Sequence, residues 1–143
     1  MIEQATNAEI VIIEDDLSIA SFLRELLEMD GYRVLAFADG TALDAVIVAT
    51  PRLIFLDLML PQLDGAEICR RLRADPRSRT TPIIIMTAAS MTTIGQRLYG
   101  CVYDGLLRKP FDINAPLDIA ARYVRNPAAP PPANQVAFGE RAV

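Results

Sequence analysis

Short, uninterrupted runs of apolar residues punctuate this chain: IVII at Ile10–Ile13, LIFL at Leu53–Leu56 and IIIM at Ile83–Met86. None alternates with polar residues, and a strand that is apolar at every position must be covered on both faces. The stretches between them carry a longer period. After Asp16 the segment SIASFLRELLEMDG repeats apolar residues at Ile19, Phe22, Leu23, Leu26 and Leu27, the spacing of a helix, and Gly31 supplies its stop. YRVLAF (Tyr32–Phe37) predicts a weaker strand, and Gly40–Ala49 a second helix. GAEICRRLRAD (Gly65–Asp75) predicts a third, with Ile68 and Leu72 turned inward, and Pro82 opens the strand IIIMT. Strand and helix alternating in this way give a parallel sheet with helices on both faces.

The pattern weakens toward the C-terminus. Met91–Tyr99 makes a poor helix because Thr92, Thr93 and Gly95 lower its propensity, and a short strand follows at Gly105–Leu107. A final helix takes Asp112 or Asn114 as its cap, since Pro116 is tolerated only within a first turn. From Asn126 the sequence becomes NPAAPPPANQ, whose prolines favour extended chain and which carries too little apolar surface to build a core. The expected organisation is one domain over residues 1–125, with its core at about 8–125, and a proline-rich, disordered tail at 126–143.

Composition then removes several kinds of chemistry. With 143 residues, 52% of them hydrophobic, the chain can fill one core. No apolar run approaches the roughly 20 residues of a membrane span, and MIEQATNAE lacks the basic start of a signal peptide. The expectation is a cytoplasmic protein with no membrane partner. A net charge of −4 argues against broad contact with nucleic acid, which needs a basic surface. The cluster Arg70, Arg71, Arg73, Arg77 and Arg79 reads as a solvated helix face. A chain with no histidine cannot form a Ser-His-Asp triad, a Cys-His pair or a histidine-rich zinc site. Cys69 and Cys101 stand far apart in sequence, with no CxxC pairing, and read as buried free thiols.

Acidic residues collect where chemistry is favoured. The first strand runs into Glu14, Asp15 and Asp16, and the third ends in Asp57. Ligands of an open parallel sheet bind outside the carboxyl ends of the strands where the strand order reverses, so these acids are placed to share one crevice. Carboxylates held that close repel one another unless a cation sits among them. Oxygen ligands without nitrogen or sulfur favour Mg²⁺ or a relative such as Mn²⁺. The acidic triplet alone reads equally well as a helix N-terminus, where the dipole favours acids. Lys109, the only lysine, stands between Arg108 and Pro110, in a chain whose basic charge is otherwise arginine. A compact ammonium and a planar guanidinium are not interchangeable, so that exception points to a site.

In this order, VIIEDD (Val11–Asp16), LDLMLPQLDG (Leu56–Gly65), IIIMTA (Ile83–Ala88) and RKPF (Arg108–Phe111) resemble the receiver (CheY-like) domain of bacterial two-component response regulators, over about residues 8–125. The resemblance implies a flavodoxin-like, doubly wound α/β fold whose five parallel strands run in the order 2-1-3-4-5. It implies that Asp57 is the phosphoacceptor, a carboxylate nucleophile that forms a mixed anhydride. Asp15 would bind Mg²⁺ (or Mn²⁺) directly and Glu14 through water, with Asp57 and the carbonyl of Met59 completing the protein ligands. Thr87 and Lys109 would contact the phosphoryl group, Ala88 would leave room for it, and Pro110 is the candidate for a cis bond. The implied partners are a sensor histidine kinase or phosphotransfer protein upstream and a protein target downstream. The implied catalysis is limited to the chain's own phosphorylation and dephosphorylation.

One departure falls on the switch position, where the family usually carries Tyr or Phe and this chain carries Leu106. The chemistry reads as intact and the output as altered. Three other readings compete. A phosphohydrolase of the haloacid-dehalogenase kind would place a second acid two residues after the nucleophile, where Met59 stands. A receiver module of a longer hybrid kinase or DNA-binding regulator would make the proline-rich stretch a linker. A phosphorylation-independent interaction module is favoured by Leu106 but opposed by the acid, threonine and lysine set.

Overall fold

The computed structural model describes residues 7–61, 63–126 and 136–138. Five strands, β1 (Ile10–Ile13), β2 (Val34–Phe37), β3 (Leu53–Asp57), β4 (Ile83–Thr87) and β5 (Gly105–Arg108), lie parallel in the order β2-β1-β3-β4-β5. The helices between and after them are α1 (Leu17–Met29), α2 (Leu43–Ala49), α3 (Gly65–Ala74), α4 (Met91–Arg97) and α5 (Asn114–Ala120), the last running on through a π-type turn to Arg125. A turn of 3₁₀ helix at Gly40–Ala42 leads into α2. The doubly wound sheet is the one expected. Among the described residues, no helix is long and apolar enough to cross a membrane.

Successive side chains of a strand point to opposite faces, and the all-apolar strands feed two cores. Val11, Ile13, Ile54, Leu56, Ile83 and Ile85 pack with residues of α2, α3 and α4. Ile10, Ile12, Leu53, Phe55, Ile84 and Met86 pack with residues of α1 and α5. All of these strand residues are essentially inaccessible to solvent. Each such side chain contributes about 1.5–3 kcal/mol relative to exposure, so the central strands anchor the rest.

Local signals behave as their chemistry dictates. Gly31 ends α1 at φ 98°, a conformation that favours glycine, with its N–H donating to the Glu28 carbonyl at 3.0 Å. The Asp112 carboxylate accepts from the Asn114 N–H at 2.8 Å at the head of α5. Pro116 falls in that helix's first turn, where its missing N–H costs nothing.

Three features depart from the sequence reading. Phe22, part of the apolar stripe of α1, is 46% exposed while Leu23 and Leu27 are buried. Arg73 is not solvated: its guanidinium donates to the carbonyls of Val102, Arg79 and Thr81 and pairs with Asp104 at 2.8 Å. The arginine cluster therefore divides, with Arg71 and Arg77 in exposed pairs to Glu67 and Asp75. Third, Val136–Phe138 adds a sixth strand, β6, parallel to β5, within the segment expected to form a disordered tail. An edge strand presents a row of unpaired N–H and C=O groups, which even a three-residue segment can use. The proline-rich run before β6, residues 127–135, lies outside the described residues.

The chain after Asp57 leads to Gly65 at the head of α3, and the requirement for glycine there is one of contact. A Cβ there would meet the Asp57 carbonyl and lie 2.8 Å from the Leu58 Cα, both backbone atoms with little freedom to yield. The Gly65 N–H also donates to the Leu58 carbonyl at 3.0 Å. Gly65→Ala should therefore destabilise the fold by about 1–3 kcal/mol, the usual cost of overpacking, and lower the urea midpoint. An unchanged midpoint would show that the loop yields freely.

Candidate functional site

Register builds the site. In the β1–β3 pair Ile13 lies opposite Leu56, so the next residues, Glu14 and Asp57, emerge side by side where the strand order reverses. Glu14 is held there by its N–H, which donates to the Phe37 carbonyl at 2.9 Å, and its side chain is 1% exposed. Asp16 turns away and caps α1, accepting from the N–H groups of Ser18 at 2.9 Å and Ile19 at 3.2 Å. The helix-terminus reading of the acidic triplet thus holds for Asp16 alone. Carboxylate oxygens of Glu14, Asp15 and Asp57 lie within 4.8 Å of one another, with Asp15 exposed and the other two buried.

β4 and β5 complete the edge. The Leu58 N–H donates to the Met86 carbonyl at 3.0 Å and the Lys109 N–H to the Thr87 carbonyl at 2.9 Å, which ties the ends of β3, β4 and β5 into one rim. Thr87 is buried, and its Oγ1 accepts from the Ala89 N–H at 3.0 Å. Ala88 is exposed beside it. The Lys109–Pro110 peptide bond is cis. Lys109 Nζ lies 2.5 Å from Glu14 Oε1 and 3.5 Å from Asp57 Oδ2, so the ammonium reaches both buried acids and sits nearer to Glu14. The Met59 N–H donates to Asp57 Oδ1 at 3.1 Å, while the Met59 side chain is 48% exposed.

The electrostatics follow from burial. Desolvation, reinforced by hydrogen bonding and repulsion from Glu14, pushes the Asp57 carboxyl up from an ordinary 3.8 to about 7, although the Met59 amide and Lys109 work in the other direction. Such a carboxyl gains from any added positive charge. Three convergent oxygen donors suit a hard divalent cation.

Leu106 stands apart from this rim. It pairs with Ile85 in the β4–β5 register, is 2% exposed, and belongs to the core formed with α2, α3 and α4. Tyr103 packs half-buried against the same cluster. A groove the sequence did not reveal runs beside the site, where Phe22 of α1 faces Ala88, Lys109, Pro110 and Phe111. Its signal was the breadth of the α1 stripe, which is too wide for one helix to bury entirely.

Residues 10–120 match the family model described as the response regulator receiver domain. The chain belongs to that family. It is 40% identical over 105 residues to the DNA-binding dual master transcriptional regulator RpaA of Synechocystis, a match covering 73% of this chain and 44% of that protein. It is 43% identical over 108 residues to the response regulator ArlR of Staphylococcus saprophyticus, covering 73% and 47%. The receiver chain thus spans about half the length of these relatives. Among solved structures, the receiver domain of a Pseudomonas aeruginosa sensor histidine kinase superposes with TM-score 0.76 at 29% identity, covering 83% of this chain and 98% of that one. That domain coordinates a magnesium ion in its active-site cleft. Chemotaxis protein CheY4 of Vibrio cholerae gives TM-score 0.75 at 27% identity, covering 82% and 98%. The receiver fold is a signal-transduction module, and the acidic cluster lies at the carboxyl ends of its strands.

The raised Asp57 value fixes the sign of a pH dependence. The folded receiver binds that proton more tightly than the unfolded chain, so this contribution is fully present below the ordinary value of 3.8 and is lost as pH rises through about 7. Asp57→Asn should remove it. In metal-free buffer the variant should gain stability over the parent, on the order of a few kcal/mol, between about pH 5 and pH 8 in urea titrations. A constant difference across that range would contradict the assignment.

Proposed function

We propose that this receiver accepts a phosphoryl group on Asp57 from a phosphorylated histidine of a sensor kinase or phosphotransfer protein, in a divalent-cation-dependent reaction, and signals through contacts with a protein target. The observation that carries the reading is the convergence of Glu14, Asp15 and Asp57 with Lys109 at one rim of the sheet. Since these 143 residues include no histidine, the donor lies outside them.

Glu14, Asp15, Asp57 and the carbonyl of Met59 would hold Mg²⁺, or Mn²⁺ in its place. The bound cation supplies positive charge to the acids and to the phosphoryl oxygens. The protein's own groups do the rest. Asp57 is the nucleophile: its carboxylate oxygen forms a bond to phosphorus as the bond from phosphorus to the donor breaks. Lys109, 3.5 Å from Asp57 Oδ2, counters negative charge as it gathers on the equatorial oxygens. The Met59 amide holds Oδ1 and so fixes the carboxylate plane. The Thr87 hydroxyl would bond a phosphoryl oxygen, and the small side chain of exposed Ala88 keeps the entrance open. Pro110 orients the chain after Lys109.

Incubation with acetyl phosphate and Mg²⁺ should add one acid-labile phosphoryl group, seen by mass spectrometry, and Asp57→Asn should abolish it. Asp15→Asn should keep the fold but lose most labelling, at least tenfold, because metal binding loses its exposed ligand. Parent-like labelling of either variant would sink the corresponding role.

The buried Leu106 bears on output. A leucine in a packed site offers little difference between inward and outward positions, so it gives a partner little to distinguish. We place the response in the segment around α4, which is only seven residues long and contains Gly95. Hydrogen exchange with and without beryllofluoride should differ mainly between Ala88 and Gly105. A change confined to α5, with that segment silent, would overturn this assignment.

A further inference from the structure

The loop that leads from Asp57 to α3 closes on itself. The Gly65 N–H donates to the Leu58 carbonyl at 3.0 Å, and Gly65 lies so close to the backbone of Asp57 and Leu58 that a Cβ would collide with both. Asp64, the residue before it, uses both carboxylate oxygens. Oδ1 accepts from the Ala66 N–H at 3.1 Å and so caps α3, while Oδ2 accepts from Arg97 Nη1 at 3.0 Å. Arg97 ends α4, 33 positions further along the chain. Its backbone is held by α3 in return, since Arg70 donates to the carbonyls of Arg97 and Tyr99 at 3.1 and 3.5 Å. Two arginines thus reach in opposite directions between α3 and the end of α4. Among the described residues, Asp64–Arg97 is the only ion pair that joins the loop after Asp57 to an element beyond α3.

We propose that Arg97 is a positioning residue for the cation site: acting through Asp64, it holds in place the loop that carries the Met59 carbonyl beside Asp57. This role rests on the reading that Glu14, Asp15, Asp57 and the Met59 carbonyl hold Mg²⁺. Mg²⁺ tolerates little departure from octahedral geometry, and a backbone carbonyl can meet it only where its loop places it. Met59 follows Leu58, the residue bonded to Gly65, and its N–H donates to Asp57 Oδ1 at 3.1 Å. A shift of Asp64 and Gly65 therefore passes through Leu58 to the Met59 carbonyl and the Asp57 carboxylate together. The side chains of Arg97 and Asp64 are 39% and 41% exposed, and a pair so exposed is weak. The effect on Mg²⁺ affinity is accordingly small, about two- to fivefold. Its sign is diagnostic. Acting only through space, loss of the Arg97 charge would strengthen cation binding and loss of the Asp64 charge would weaken it. Acting through the loop, both losses weaken it. Coupling of this kind is reciprocal, so a bound cation also steadies the last turn of α4.

Calorimetric Mg²⁺ titration of the full chain compares the parent with Arg97→Ala, Asp64→Asn and the double variant. Asparagine still caps a helix well, so Asp64→Asn removes the ion pair and keeps the cap. Each single variant should bind Mg²⁺ about two- to fivefold more weakly than the parent. The double variant should bind no more weakly than the weaker single one, because the two side chains act as one unit. Arg97→Lys should retain most of the parent affinity, since the ion pair uses a single nitrogen. In metal-free protein, hydrogen exchange at the Met59 amide should quicken in Arg97→Ala while the amides of β3 keep their parent rates, which separates a loosened loop from a general loss of stability. Parent-like or tighter Mg²⁺ binding by Arg97→Ala, additive losses in the double variant, or unchanged exchange at Met59 would each overturn the proposal. A parent protein that binds no Mg²⁺ would instead overturn the cation site itself, and this role with it.

Discussion

Lys109 brings positive charge to two buried carboxylates, and the arrangement of the rim depends on that contact. Burying a carboxylate without a partner costs several kcal/mol, and removing one member of a buried pair typically costs about 3–5 kcal/mol. Glu14 takes the closer share at 2.5 Å and Asp57 the more distant at 3.5 Å. One ammonium cannot compensate two carboxylates fully, and exposed Asp15 adds a third acid nearby. Burial, reinforced by hydrogen bonding and repulsion from Glu14, pushes the Asp57 carboxyl up to about 7. A site left short of positive charge is poised to take up a cation and a group that needs one.

The fold exists to hold that deficit in place. Strands buried on both faces cannot slide by one residue without turning their apolar side chains out of both cores, so their ends arrive in fixed register. Glu14, Asp57, Thr87 and Lys109 each follow or end such a strand and inherit its position. Gly65 lets α3 start directly against the backbone of Asp57 and Leu58. From the same helix, Arg70 and Arg73 reach across to the segment before β5. The loop after Asp57 and the segment before β5 are thus both held by α3.

Much of this was legible in sequence because it rests on local pattern. The apolar runs announced the central strands, and Gly31 announced the end of α1. The four motifs placed the acids, Thr87 and Lys109 in one family, to which the chain belongs. What was hidden depends on long-range packing. Nothing in GAEICRRLRAD marks Arg73 as the member of its cluster that turns inward, because its carbonyl partners lie up to 29 residues away. Cys69 and Cys101 enter one core cluster only once α3 and the segment before β5 are both docked. Phe22 has the period of a core residue, but α1 is too broad a stripe for the sheet to cover. β6 escaped notice because three residues beyond a proline-rich run carry no pattern of their own, and it is the unpaired edge of β5 that recruits them.

Asp57 should give up a proton when the site gains positive charge. Calorimetric titration of the metal-free protein with Mg²⁺, in buffers of different ionisation enthalpy, counts that proton directly. Near pH 6 the account predicts release of most of one proton per metal bound, affinity that rises toward about pH 8, and no release in Asp57→Asn. Magnesium affinity equal at both pH values, with no proton released by the parent protein, would contradict it.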